Sequence, residues 1–358
     1  MNEGGKLMDG KMKAAVLHSL KNIKVEWCEI PAINDNEVLI KVKYAGICGS
    51  DIPRAMITGA RKYPLILGHE FSGVVVETGA NVTRVKPDDR VVVAPLIPCE
   101  ECEYCKKGLF GICEHYNLIG TCSNGAFAEY VTVPQYTVLK IPDSLDFISA
   151  AGVEPATIGY HALEKVNIKP GETAVIIGCG AIGLLTLQWA KIFGASTVVA
   201  VDISDVKLDL ARKLGADITI NSSRIGVVEK IKEITSGGAD VAIETAGTSI
   251  AQQQAILSTK KRGRVVFVGI SHSGLQLDEN TVEHVLRGEV SIQGSWNSYT
   301  APFPGMAWKA TIDFMTKGLI NFKEIVSHII KVDDIPYYLK SMSEQTISYN
   351  KVLISFDD

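Results

Sequence analysis

Residues 173–183 constrain the fold of this 358-residue chain more than any other stretch. An apolar run, Thr173-Ala174-Val175-Ile176-Ile177, leads into Gly178-Cys179-Gly180-Ala181-Ile182-Gly183 and then into a helix-patterned segment, 181–193. In that context G-x-G-x-x-G is a dinucleotide fingerprint: the first glycine permits the tight turn, the second lets the backbone approach a pyrophosphate, and the third lets helix pack on strand. Gly178, Gly180, Ala181, Ile182 and Gly183 are therefore candidate cofactor contacts, with the pyrophosphate on the helix's positive N-terminal end. Asp202 ends the next apolar strand, 198–201, where a carboxylate would accept hydrogen bonds from both ribose hydroxyls. Ile203 and Ser204 follow it, with no arginine placed to receive a 2′-phosphate, so the expected cofactor is NAD rather than NADP. Lys207 and Arg212 either hold the other ribose face or are solvated helix charges.

Strand and helix patterns keep alternating through 207–214, 241–244, 264–268 and 290–294, the rhythm of a doubly wound parallel sheet. The N-terminal part reads differently. From Lys13 to about Lys140, short β-type runs such as 37–42 and 73–77 are broken by Gly, Pro and Asn or Asp, which suits a β-rich, barrel-like domain. After Ser295 the alternation is lost, and the segment ending in the strand-like run 351–355 is expected to return to the first domain and close it. The expected organisation is α/β: a flexible extension over 1–12, a catalytic domain over 13–157, a Rossmann domain over 158–294, and the rest of the catalytic domain over 295–358.

With 36 basic and 40 acidic residues the net charge is -4, which leaves no electrostatic footprint for nucleic acid or an anionic membrane. A small-molecule partner is the expectation. Residues 1–11 lack the apolar core of a secretory signal, and no 18 apolar residues run together, so a soluble cytoplasmic protein is expected. Four of the eight cysteines crowd into Cys99-x2-Cys102-x2-Cys105-x7-Cys113, in a loop marked by Pro98, Glu100, Glu101 and Gly108. Four thiolates complete a tetrahedral shell with no open position, which makes this a candidate structural zinc site over 99–113. Cys48, His69 and Glu154 are plausible ligands for a second zinc with an open position, but spacing alone does not join them, and a lone cysteine or histidine is more often a core residue.

Several motifs in order supply the link. Gly68-His69-Glu70-x2-Gly73, the four-cysteine loop, Gly125-x2-Ala128-Glu129-Tyr130 and the fingerprint at 178–183 resemble the zinc-containing medium-chain dehydrogenases over residues 13–356. Glu154-Pro155 with Gly159-x-His161-Ala162 resembles the polyol dehydrogenases among them. Cys48-Gly49-Ser50-Asp51-Ile52-Pro53-Arg54, Glu244-Thr245-Ala246-Gly247 and Gly294-Ser295-Trp296-Asn297 resemble the members that act on phosphorylated polyols.

The resemblance implies a GroES-like catalytic domain, two zinc ions per chain, and a homo-oligomer, dimer or tetramer. It makes Cys48 and His69 ligands of a catalytic zinc, Glu154 a third ligand or water-holder, and Glu70 a neighbour that approaches the metal during ligand exchange. Ser50 takes the alcohol's proton. In many relatives a histidine completes the relay where Pro53 stands here; a proline cannot ionise, so solvent is expected to serve. Gly247 and Gly269 join the cofactor residues. A phosphorylated substrate needs cations at the cleft mouth, for which Arg54, Arg61 and Lys62 are candidates or else solvated charges, with Tyr63, Ser295, Trp296 and Asn297 lining the pocket.

The implied activity is oxidation of a secondary alcohol of a polyol phosphate, galactitol 1-phosphate first, to a ketose phosphate. A pentitol phosphate such as arabitol phosphate, an unphosphorylated polyol such as sorbitol, and threonine follow in that order. The alternative from another class is a non-catalytic NAD-binding sensor, against which stands the presence together of Cys48, Ser50, His69, Glu70 and Glu154.

Overall fold

The computed structural model describes residues 10–271 and 274–357. The described residues divide into two compact units: those within 10–154, 299–308 and 326–357 form one, and those within 155–298 and 309–325 the other.

The first unit is built on mostly antiparallel strands whose apolar faces meet in one core, with Val326–Ile330 parallel to Lys351–Ser355. A seven-stranded sheet runs in the order Val138–Lys140, Arg90–Val93, Glu70–Thr78, Glu37–Gly46, Lys351–Ser355, Val326–Ile330, with Tyr130–Pro134 also paired to Glu37–Gly46. Lys11–Ser19, Asn22–Glu29 and Leu65–Ile66 form a smaller sheet. Leu17, Ile40, Leu67, Phe71, Phe127 and Ile354 are among the buried side chains between them. Glu37–Gly46 carries the functional end of this unit. Its register against Glu70–Thr78 slips after Leu39 and again after Val42, and such bulges re-aim the strand beyond them. Past the second bulge Gly46 lies opposite both Glu70 and Leu353.

The second unit is a six-stranded parallel sheet in which the first strand, Thr173–Ile177, lies centrally. Ile218–Asn221 and Thr197–Asp202 lie on one side of it, and Ala239–Glu244, Thr259–Phe267 and Ser291–Gly294 on the other. This is the doubly wound order that places a nucleotide site outside the carboxyl end of the central strand. Val175, Ile177, Val199, Val201 and Ala242 are buried, as strands covered on both faces must be.

Three expected boundaries change, the smallest at residues 155–157, which belong to the nucleotide unit. Lys11 and Met12 already pair with Glu29 and Cys28 at the start of the first strand, so they do not belong to a flexible extension; residues 1–9 lie outside those described. Residues 295–298 and 309–325 belong to the nucleotide unit, not to the catalytic one. Side-chain bonds tie them there: Ser298 Oγ pairs with Thr157 Oγ1, and Gln188 Oε1 accepts from the Asn321 N–H at 2.6 Å. Among the described residues, no helix is long and apolar enough to cross a membrane.

Candidate active site, zinc loop and dinucleotide cradle

Cys48 leaves the strand Glu37–Gly46 at a turn closed by the Asp51 N–H on the Cys48 carbonyl, 3.0 Å. Asp51 is fully buried, and its Oδ2 accepts from the Cys48 N–H at 3.0 Å. Glu70 begins the neighbouring strand and His69 stands just before it, after Gly68, whose φ of +97° is left-handed and whose missing side chain makes room for the Phe127 ring. One ligand atom each from Cys48, His69 and Glu70 lies within 4.8 Å of the others. Glu154 stands outside that group, although its carboxyl feels His69, Glu70, Lys351 and Asp51.

The donor chemistry fits a divalent metal. His69 Nδ1 is buried with no hydrogen-bond partner and faces Asp51 Oδ1 at 3.6 Å, so a carboxylate on that side orients the imidazole and leaves its other nitrogen to ligate. Burial, with the Glu70 charge next, pushes the Cys48 thiol well up, and a bound cation is what would hold it as thiolate. Burial likewise pushes Glu154 up to about 7, against the opposing pull of His69. The Asp51 carboxyl is also raised by burial, partly offset by His69 and Arg54. Ser50 Oγ donates to Cys48 Sγ at 3.4 Å, which puts the expected proton acceptor beside the candidate metal-binding cysteine.

The four loop cysteines also bring their sulfurs within 4.8 Å of one another. Cys99 and Cys105 sulfurs are 3.9 Å apart and those of Cys102 and Cys113 4.0 Å, too far for a disulfide. They match the edges of about 3.8 Å that zinc–sulfur bonds of about 2.3 Å impose on a tetrahedron. Backbone N–H groups of Cys99, Cys102 and Cys105 point at Cys113, Cys99 and Cys102 sulfurs at 3.3–3.5 Å. Those donors suit thiolates: hydrogen bonds from the Glu114 and Cys105 amides pull Cys102 down to about 6, while burial pushes Cys105 up to about 12.

In the other unit, Gly178 turns at φ +95°, and a side chain on Gly183 would meet the Gly178 carbonyl, so helix and strand close up only on glycine. Thr245 Oγ1 donates to the Gly178 carbonyl at 2.9 Å, clamping the turn from the next loop. That loop is fixed in turn by buried Glu244, whose Oε1 accepts from the Ala246 and Gly247 N–H groups at 2.6 and 2.7 Å. Gly247 and Gly269 pack backbone to backbone. Asp202 accepts from the Cys179 N–H at 2.7 Å and the Ser204 N–H at 2.9 Å, which holds its carboxylate at the strand end beside the fingerprint. Arg212 is engaged by Asp209 and Thr219, whereas Lys207 forms part of the same helix, Asp205–Lys213.

Of the candidate substrate residues, Arg54 donates to the Ser50 carbonyl at 3.1 Å and to Asp51 Oδ1 at 3.2 Å, so it braces the turn that carries Cys48. Arg61 and Lys62 are exposed, Arg61 near Cys122 Sγ and the Tyr116 ring. The exposed Tyr63 accepts from the Ala60 N–H through its hydroxyl. Ser295, buried, Trp296, half exposed, and Asn297 belong to the nucleotide unit. Sequence reasoning gave no role to two buried groups at the site, Asp51 and Lys351. Asp51 was signalled only by sitting inside the Cys48 motif, and Lys351 by nothing beyond a charge opening an apolar strand.

A β-rich unit with a Cys-His-Glu cluster, a four-thiolate loop, and a parallel sheet with a dinucleotide turn together define the class of nicotinamide-dependent zinc dehydrogenases. Residues 34–143 match the alcohol dehydrogenase GroES-like domain and residues 181–317 the zinc-binding dehydrogenase domain. Sorbitol dehydrogenase of Bacillus subtilis is 38% identical, over 88% of this chain and 89% of its own. The crystal structure of galactitol-1-phosphate dehydrogenase from Escherichia coli superposes with a TM-score of 0.91 at 33% identity, covering 96% of this chain and 100% of that one. A putative zinc-binding dehydrogenase from Sinorhizobium meliloti 1021, bound to NADP, gives 0.90 at 33% identity, covering 96% and 99%. The chain belongs to the zinc-containing medium-chain alcohol dehydrogenase family.

Proposed function

We propose that this protein oxidises a secondary hydroxyl of a polyol phosphate, with galactitol 1-phosphate as the first candidate, to a ketose phosphate, passing hydride to NAD. The observation that carries the chemistry is the grouping of Cys48, His69 and Glu70 ligand atoms within 4.8 Å, with Ser50 bonded to Cys48. A zinc ion held by Cys48 and His69, with Glu154 as third ligand or water-holder, supplies the Lewis acidity that makes an alcohol's proton transferable near neutral pH. Ser50 Oγ takes that proton while handing its own outward to solvent, since Pro53 cannot relay it. Asp51 keeps the His69 ring oriented through Nδ1. The four-cysteine loop holds a structural zinc, and its reduced thiolates suit the reducing cytoplasm.

The phosphate reading is supported by the likeness to galactitol-1-phosphate dehydrogenase and by the exposed cations Arg61 and Lys62. Arg54 supports it less than the sequence suggests, because two of its donors already brace Ser50 and Asp51. The sorbitol dehydrogenase likeness favours an unphosphorylated polyol as the second reading. NAD is favoured by Asp202 and by the exposed Ile203 that follows it where a 2′-phosphate would want a cation.

NADH absorbance with galactitol 1-phosphate, galactitol, arabitol phosphate, sorbitol and threonine, with and without chelator, tests these readings together. Chelator-sensitive turnover highest on galactitol 1-phosphate is expected. Highest turnover on sorbitol overturns the phosphate reading, and none on any alcohol with cofactor still bound overturns the enzyme reading.

A further inference from the structure

Among the described residues, the catalytic unit buries one lysine, and it sits at the candidate metal-binding cluster. Lys351 is 4% exposed and Glu70 1%, and the Lys351 ammonium is ion-paired with Glu70 Oε2. Three adjacent strands make the pair possible. Gly46 lies between Glu70 on one side and Leu353 on the other, and Lys351, two residues before Leu353, points to the same face of its strand. A side chain at Gly46 would run into both Glu70 Oε2 and Lys351 Cε, so the glycine clears the space the pair occupies.

A buried ion pair is weak as a source of stability, because desolvating both charges offsets their attraction; what it fixes well is the position of the groups. Here the group fixed is a carboxylate within ligand range of Cys48 and His69. Cys48, Asp51, Glu70 and Glu154 crowd this end of the unit with acidic groups, opposed by Arg54 and His69 on Asp51 and by Lys351 on Glu70. A divalent ion placed among them attracts every free carboxylate, and Glu70 is the one already within reach.

We infer that Lys351 is a positioning residue that tethers Glu70 beside the metal and keeps it out of the inner shell, so that the open position stays available to the alcohol. The inference rests on the metal reading of the Cys48–His69 cluster. Without the tether, Glu70 takes the open position, and the metal is held more tightly by an all-protein shell.

The test uses the whole protein with zinc retained in the four-cysteine loop and cobalt exchanged into the catalytic site. Lys351→Met should shift the visible cobalt band and slow cobalt loss to a chelator by about tenfold, the size of effect that outer partners have on metal affinity. Lys351→Arg should restore the wild-type band, and adding Glu70→Gln to Lys351→Met should abolish the shift. Glu70→Gln alone should leave the resting band unchanged, a result that does not depend on whether Lys351→Met folds. A band and release rate unaltered in Lys351→Met overturn the inference, as does a band shifted by Glu70→Gln alone, which would make Glu70 a resident ligand. A wild-type protein that takes up no cobalt outside the cysteine loop rejects the metal reading itself, and the inference with it.

Discussion

Asp51 Oδ1 faces His69 Nδ1 at 3.6 Å from a wholly buried position, held there by the Cys48 amide and by Arg54. A single carboxylate thereby touches the segments that carry Cys48 and His69, two of the candidate metal ligands. Asp51→Asn keeps the shape and removes the charge. Catalytic-metal affinity and turnover are expected to fall by about 10–100-fold, the usual cost of losing such a partner. Metal analysis after dialysis against graded chelator checks this, and zinc in the cysteine loop should not change.

Cys102→Ser opens the four-sulfur shell. Zinc per chain is expected to drop from two towards one, with a lower Tm, because a structural zinc contributes folding energy directly. His69→Ala makes the complementary loss: turnover disappears while the protein stays folded and the loop keeps its metal. An unchanged metal count in Cys102→Ser would remove the structural assignment.

Asp202→Ala should relax the proposed preference for NAD over NADP, since a carboxylate beside the fingerprint would repel a 2′-phosphate. The ratio of kcat/KM for the two cofactors is the measurement. A ratio that does not move means another residue reads the ribose.

With the catalytic zinc removed, Glu154 has its carboxyl raised from 4.5 to about 7, chiefly by burial. A folded-state value above the unfolded one means that the folded protein holds the proton more tightly. The associated stability is therefore complete below about pH 4.5 and is lost as pH rises towards about 7. Denaturant titrations of the zinc-depleted protein should show that decline, and Glu154→Gln should flatten it.

Gly183→Ala puts a methyl group against the Gly178 carbonyl, between helix and strand. Overpacking of this kind costs roughly 1–3 kcal/mol, and it also distorts the turn that approaches pyrophosphate. Both Tm and cofactor affinity, read by fluorescence titration, should fall.

What the sequence showed clearly is what depends on neighbours in the chain. The run 173–183 reveals strand, turn and helix because each needs its own local pattern, and the central strand is observed at Thr173–Ile177, the residues expected. Four cysteines within fifteen positions reveal their shell by spacing. Cys48 and His69 are joined only by two strands paired side by side, and nothing in local sequence records that pairing. The resemblance supplied the connection, and with it Glu154, which stands outside the 4.8 Å group. Lys351 was legible only as the polar first residue of a strand, because its partner is fixed by sheet register and by the absence of a side chain at Gly46. The same limit moved residues 309–325 to the other unit: their contact with Gln188 is a matter of packing.

Gly46 also bears on how such a site changes over time. Any larger residue there collides with the charged pair, while loss of either charge leaves the other buried alone. Three positions on three separate strands are thus interdependent, and a single substitution that adds a side chain at Gly46 or removes the charge of Lys351 or Glu70 passes through a less stable intermediate. Directed evolution of this enzyme towards new alcohols should find its gains elsewhere, in residues whose replacement is tolerated one at a time.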